Sequence, residues 1–351
     1  MKWGITTGSC AALAAKAAAL KLVEGVEPGE VEIPLPDGDR LIHAVRILDA
    51  DAETARAITV KYAGDDPDVT DGNDVIVQIR YNQMDAVRFF AGPGVGTVTK
   101  PGLAVPPGEP AINPGPRNMI VQALAEVSPR GFDVTVSIPA GQELARKTFN
   151  PRLGIVGGIS ILGTTGRVRP FSAPALRDAL KCALDIAAAA KLKDLVLVPG
   201  NMGHKAALQH FSVNAEQVID VSNEWGFVLG EVEKYSVKHV LIVGHSGKLG
   251  KLAMEQWQTH SAQSQSAVPY IAALGKQLSL TVSSEINTVE ELFMSALQRP
   301  ERNRLGDLLA ERIHSKISAC YPGIQSLALV LINLQGEILG RRGDFSTWSK
   351  T

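Results

Sequence analysis

Cysteine is scarce and charge is balanced, and both facts narrow the field. Only Cys10, Cys182 and Cys320 occur in 351 residues. They are too few and too dispersed for a zinc cluster, and an odd count makes a poor disulfide framework, so a reducing, cytoplasmic setting is expected. Lysine plus arginine (35) against aspartate plus glutamate (36) leaves a net charge of −1. That balance removes the electrostatic case for binding nucleic acid or a membrane surface. No apolar run reaches the ~18–20 uncharged residues of a membrane span. The alanine-rich stretch at 10–20 is broken by Lys16 and lacks the basic flank of a secretory leader. There is no internal repeat and no low-complexity tail. A soluble cytoplasmic protein without nucleic-acid or membrane partners is expected, and self-association into a homo-oligomer stays open.

What is present is glycine and proline, 33 and 20 residues, beside a 45% hydrophobic share large enough for folded cores. The length suits two domains. Residues 1–170 read as strands and loops around one early helix, from about Ser9 to Glu24, capped by Thr7 or Ser9 and ended by Gly25. Strands are expected at 31–33, 57–61, 75–79, 96–99 and 132–138, where valine, isoleucine and threonine concentrate. A second helix is expected at 172–192, after which the pattern changes. Apolar runs at 195–198, 217–221 and 240–243 alternate with helical segments at 205–210, 224–235 and 247–260, the grammar of a parallel sheet with crossover helices. Helices at 289–297 and 304–319 and a hairpin over 327–339, turning at Gln335-Gly336, complete the chain. The expected fold is an α+β domain (1–192) followed by an α/β domain (193–351) with a short parallel, Rossmann-like sheet.

Familiar fingerprints fail on inspection. Gly92-Pro-Gly-Val-Gly96 runs into strand-like Thr97-Val-Thr99, without the helix start that holds a pyrophosphate. Gly247-Lys248 is followed by Leu249 where a P-loop needs a hydroxyl, and Ile242 stands at its first glycine. Gly64-Asp-Asp-Pro-Asp-Val-Thr-Asp-Gly72 has a misplaced glycine for an EF-hand, and Val77 takes the place of the closing glutamate. No metal site and no Ser/His/Asp pattern is read.

Several segments still carry chemistry. Thr6-Thr-Gly-Ser-Cys10 sets hydroxyls and free N–H groups at a helix start, suited either to a ligand carboxylate or simply to capping. Asp65, Asp66, Asp68 and Asp71 crowd carboxylates that bind a cationic group or form a solvated turn. Lys100, Asn113, Arg117, Lys147, Asn150 and Arg152 lie among glycines and rigid prolines, where arginine can clamp a carboxylate bidentately. The same run continues through Gly163-Thr-Thr-Gly166. In the second half Gly200, Asn201 and Gly203, then Asp220, Ser222 and Asn223, then Gly244, His245 and Lys248 stand at strand ends, where open α/β sheets bind ligands. His260 closes the last of the expected helices.

Taken together, residues 6–12, 64–70, 96–103, 108–117, 147–166, 200–203, 222–223, 244–253 and Thr259-His-Ser261 resemble the CbiD family, in family order. Thr148-Phe-Asn-Pro-Arg-Leu-Gly-Ile-Val-Gly-Gly-Ile-Ser-Ile-Leu-Gly-Thr-Thr-Gly166 carries most of the likeness. Two departures stand out: Ala262-Gln263-Ser264 replaces acidic and arginine residues, and Asp220 has no acidic counterpart. The resemblance implies methyl transfer from S-adenosylmethionine to C1 of cobalt-precorrin-5B, a cobalt-bearing tetrapyrrole. The cobalt would then arrive as part of the substrate. Thr7, Gly8, Ser9, Asp65, Asp66, Asp68, Lys100, Asn113, Arg117, Lys147, Asn150, Arg152, Gly163, Thr164 and Thr165 are the expected substrate residues. Gly200, Asn201, Gly203, Ser222, Asn223, Gly244, His245, Lys248 and His260 are the expected donor residues. A phosphate-handling enzyme such as a small-molecule kinase is the competing reading.

Overall fold

The alanines that made the early helix legible also explain how it is buried. In the computed structural model, which describes residues 2–170, 172–281, 286–294 and 297–350, the helix spans Thr7–Glu24. Ala11, Ala12, Ala14, Ala15 and Ala17–Ala19 are all fully buried. Small side chains let it seat against strands Thr54–Val60 and Asp74–Tyr81 on one side and helix Pro114–Ala125 on another. The cap is Thr6, rather than Thr7 or Ser9, with its hydroxyl accepting the Ser9 N–H at 3.0 Å. Gly25 ends the helix at φ +75°, as expected.

The chain divides into two compact units, Met1–Ala173 and Pro174–Thr351. The helix Ala173–Ala189 therefore opens the second unit instead of closing the first, moving the expected boundary at 192 upstream. Its stripe gives the reason, since Leu180, Leu184 and Ala187 join the core that holds Leu195, Leu197 and Ile242.

In the first unit a five-stranded sheet runs in the order 46–50, 54–60, 74–81, 132–137, 88–91. All neighbours are antiparallel except Phe132–Ser137 with Arg88–Ala91. A hairpin of Glu30–Pro34 and Arg40–Ala44 is a separate pair. The strands at 40–44, 46–50 and 88–91 are short and mostly exposed, which leaves little alternation for a sequence reading. The helix Pro114–Ala125 begins inside a segment expected to be a stiff loop, and Pro114 with Pro116 in its first turn is compatible with a helix start.

In the second unit four strands are parallel, in the order 218–220, 194–198, 239–245, 326–332, and Ile338–Gly343 adds an antiparallel edge. The C-terminal hairpin thus docks through its first strand onto His239–His245. The expected helix at 247–260 is shorter: Ser246–Leu249 leads into a 3-10 turn at Gly250–Met254, and Glu255 breaks it at φ +59°. After Leu249, Leu252 and Ala253 there is no apolar stripe left to bury. Helices Val268–Gln277 and Arg299–Cys320 cover the sheet's core, while the expected helix at 289–297 is seen as Val289–Met294, positions 295 and 296 lying outside the described residues.

Candidate functional site

The glycine and proline segments of the first unit come together. Thr97–Val98 pairs with Ile155–Val156, and Gly94–Val95 with Gly158–Ile159. Asn113 N–H donates to Ile161 O at 3.1 Å and Gly8 N–H to Leu162 O at 2.8 Å, so the starts of both helices meet the 160–166 loop. That loop is knotted to the first helix by hydroxyls: Leu162 N–H donates to Thr7 Oγ1 at 2.9 Å, Thr6 and Ser9 hydroxyls lie 2.9 Å apart, and Ser9 donates to Gly166 O. Thr7, Gly8 and Ser9 accordingly shape the loop, and the N–H groups of Gly8, Ser9 and Cys10 are spent on the chain itself. Cys10 is inert here, its thiol pushed up to about 12 by burial. Gly163 is half-buried, and Thr164, Thr165 and Leu162 are exposed on the loop.

The cations divide. Arg117 donates from Nε to Ile112 O at 2.8 Å and from its other end to Pro110 O and Glu109 Oε2, both at 3.2 Å. With its face over the Phe89 ring, it braces its own segment and is not a clamp waiting for a carboxylate. Arg117→Ala should lower unfolding stability by about 1.5–3 kcal/mol in denaturant titration, the cost of charged hydrogen bonds lost from a half-buried group. Lys147 and Arg152 are exposed, with Arg152 over Phe149, and the Lys100 stem lies across Gly154. Asn150 is buried, accepting from Ser160 Oγ at 2.9 Å and donating to Thr148 Oγ1 at 3.0 Å. Asn113 precedes helix Pro114–Ala125 without a side-chain cap bond.

The acidic turn is held by its own chain. Asp65 accepts the Lys2 N–H at 2.7 Å, and Asp71 accepts the Ala63 N–H at 2.7 Å. Asp68 accepts both Thr70 groups at 2.8 and 2.7 Å and pairs at 3.0 Å with Lys61, whose side chain is 1% exposed. Burial pushes the Asp68 carboxyl up, but Thr70 and the Lys61 ammonium outweigh it and hold it below the ordinary range. Asp66 is half-buried in the same turn. Lys61 escaped the sequence reading, although alternation places it on the inward parity of Ala55, Ala57 and Thr59.

In the second unit the strand ends do share one sheet edge, but their glycines have packing jobs. A Cβ on Gly203 would lie 2.5 Å from Val243 O, and one on Gly244 2.6 Å from Pro199 Cδ. Both let helix Asn201–His210 and the Pro199 turn back onto the sheet. Gly200, at φ +148°, faces open space, with Asn201 exposed beside it. Asp220 sits 3.5 Å from His204 Nδ1, a partner inside the fold. Ser222 adopts φ +58°, and Asn223 binds Thr259 through backbone and side chain at 3.1 and 3.3 Å.

His245 ends the central strand with both ring nitrogens engaged: Nδ1 accepts the Gly247 N–H at 3.1 Å, and Nε2–H donates to Glu290 Oε2 at 3.0 Å. Lys248 reaches toward Pro199 O, its pKa lowered by burial and by neighbouring Lys251. His260 is exposed and accepts the Ala262 N–H at 3.2 Å, away from any helix end. Beside His245 opens a cavity of about 480 Å³, lined by Gly247, Lys251, Ser264, Asn287 and Glu290 among others. Lys251 and Glu290 were not anticipated; Lys251 falls inside the 244–253 stretch, whereas Glu290 had no motif to mark it.

Comparisons with known proteins find relatives along the whole chain. A family model described as CbiD matches residues 1–170. A protein of Syntrophotalea carbinolica named cobalt-precorrin-5B C(1)-methyltransferase is 46% identical over 99% of both chains. One of the same name from Methanocaldococcus jannaschii is 40% identical over 97% of this chain and 96% of its own. A crystal structure of a cobalamin biosynthesis protein (cbiD) from Archaeoglobus fulgidus is 29% identical, covers 69% of this chain and 76% of that one, and superposes with a TM-score of 0.39. At that identity over the whole length of both units, the chain belongs to the CbiD family.

Proposed function

We propose that the chain methylates C1 of cobalt-precorrin-5B with S-adenosylmethionine as donor, giving cobalt-precorrin-6A. The observation that carries this is the 46% identity, over 99% of each chain, to a relative of that name, because it spans both units. The site chemistry is compatible. Methyl transfer from a sulfonium is an in-line displacement, and aligning two reactants supplies ~7–11 kcal/mol without acid–base machinery. His245, with both nitrogens engaged, orients the Gly247 turn and Glu290.

The second unit suits the donor. In its short, Rossmann-like parallel sheet the chain runs outward in opposite directions from strands Asp194–Val198 and His239–His245, and ligands of open α/β sheets bind at such a switch point. Gly200 and His245 stand at the ends of those two strands, and the cavity opens beside His245. For the tetrapyrrole, the carboxylate arms suit Lys100, Lys147 and Arg152 of the first unit, with exposed Phe149, Val156 and Leu162 offering apolar contact to the macrocycle. Arg152→Lys is expected to weaken tetrapyrrole binding about tenfold in a fluorescence-quenching titration, because lysine lacks the bidentate fork.

Incubating the purified protein with both compounds should yield a product heavier by one methyl group in mass spectrometry. Turnover of ATP with no methylated product would overturn the reading in favour of phosphate chemistry.

A further inference from the structure

The cavity beside His245 carries two opposite charges that do not neutralise each other. Glu290 stands in the first turn of Val289–Met294, where its neighbour Glu291 accepts the Asn287 N–H at 3.1 Å and its own N–H binds Thr288. Glu291 is thereby occupied with the helix start, and Glu290 is left to line the cavity. Its oxygens accept from His245 Nε2 at 3.0 Å and from Leu334 N–H at 3.2 Å. Lys251, from the 3-10 turn, donates to Thr259 O at 3.0 Å and Ser264 Oγ at 2.8 Å. An ammonium has three N–H donors, so one remains without a protein partner among the described residues. Lys251 and Glu290 form no ion pair, although both line the same space with Ser261, Ser264, Ser266 and Asn287. A cavity with an acid and a base held apart by other partners is complementary to a zwitterion. At about 480 Å³ it lies within the ~300–1,000 Å³ of small-molecule sites.

We propose that this cavity binds the amino-acid end of the methyl donor, its α-carboxylate on Lys251 and its α-ammonium on Glu290. The inference rests on the donor reading above and adds the residues that would make it selective. Each head-group charge would then meet a partly desolvated partner already oriented by the fold, the arrangement in which charged hydrogen bonds count most.

The test uses two ligands on the full chain: S-adenosylhomocysteine, which has the amino-acid end, and methylthioadenosine, which lacks it. Isothermal titration should show Lys251→Met and Glu290→Gln each weakening S-adenosylhomocysteine about tenfold or more, with methylthioadenosine affinity unchanged. Retained methylthioadenosine binding also reports that the variant is folded. Unaltered S-adenosylhomocysteine affinity in both charge variants, or equal loss of both ligands, overturns the placement. Failure of the unaltered protein to bind S-adenosylhomocysteine at all overturns the donor reading itself.

Discussion

Asp68→Asn is expected to destabilise the protein by about 3–5 kcal/mol, because it strands the Lys61 ammonium in the core. Lys61 is almost wholly buried, and Asp68 is the carboxylate paired with it. Lys61→Met should cost less, since Asp68 keeps its two bonds from Thr70 and 24% exposure of its side chain. Combining Lys61→Met with Asp68→Asn should recover most of the loss, because a pair of charges replaced together leaves neither one uncompensated. Chemical denaturation of the three variants measures this directly, and equal costs for both single variants would show that the pair is not what matters. The pH dependence follows with a definite sign. Asp68 has a folded pKa below its unfolded value of about 3.9, so its stabilisation is complete above that value and is lost as pH falls through the lower folded one. In Asp68→Asn, the part of acid destabilisation arising below about pH 4 should shrink.

Two adjacent glycines should respond to one substitution with very different costs. Gly157 sits at φ +89° with nothing within reach of an added Cβ. Gly157→Ala therefore costs only backbone strain, about 1–2 kcal/mol. Gly158 has an ordinary φ, but its Cβ would lie 2.1 Å from Gly94 O, and a Cβ on Gly94 would lie 1.8 Å from Ile138 O. Both obstacles are backbone, which no rotamer change relieves, so Gly158→Ala should cost more than about 3 kcal/mol. Thermal unfolding should separate the two by several degrees, and methyl transfer should fall with Gly158→Ala because this crossing lays 94–98 against 155–159. Near-equal melting temperatures would mean that the backbones can part without consequence.

The crossing also shows why a glycine count misleads. Gly92-Pro-Gly-Val-Gly96 has the spacing of a phosphate loop, yet Gly94 is a glycine because two chain segments, the turn at 138–141 and the strand at 158, approach it through their backbones. Composition and local pattern determined the alanine helix with its Gly25 stop, the alternating strands of the first sheet, and the parallel grammar of the second unit. Those features depend on neighbours in sequence: side-chain size, alternation and capping act over a few residues. The family segments were legible in the same way, as runs of identity. What each of their residues does was not. Arg117 looked like a substrate clamp until the chain brought Glu109 and Pro110 to it, and Asp68 looked like a free carboxylate until Lys61 arrived from the neighbouring strand end. Glu290 and Lys251 are separated by 39 positions, and no periodicity links them; only the folding of the loop at 255–267 and the helix start at 288–290 around His245 puts both charges on one cavity. A charge's role is set by what lies within a few ångströms of it, and for these groups the tertiary structure decided that.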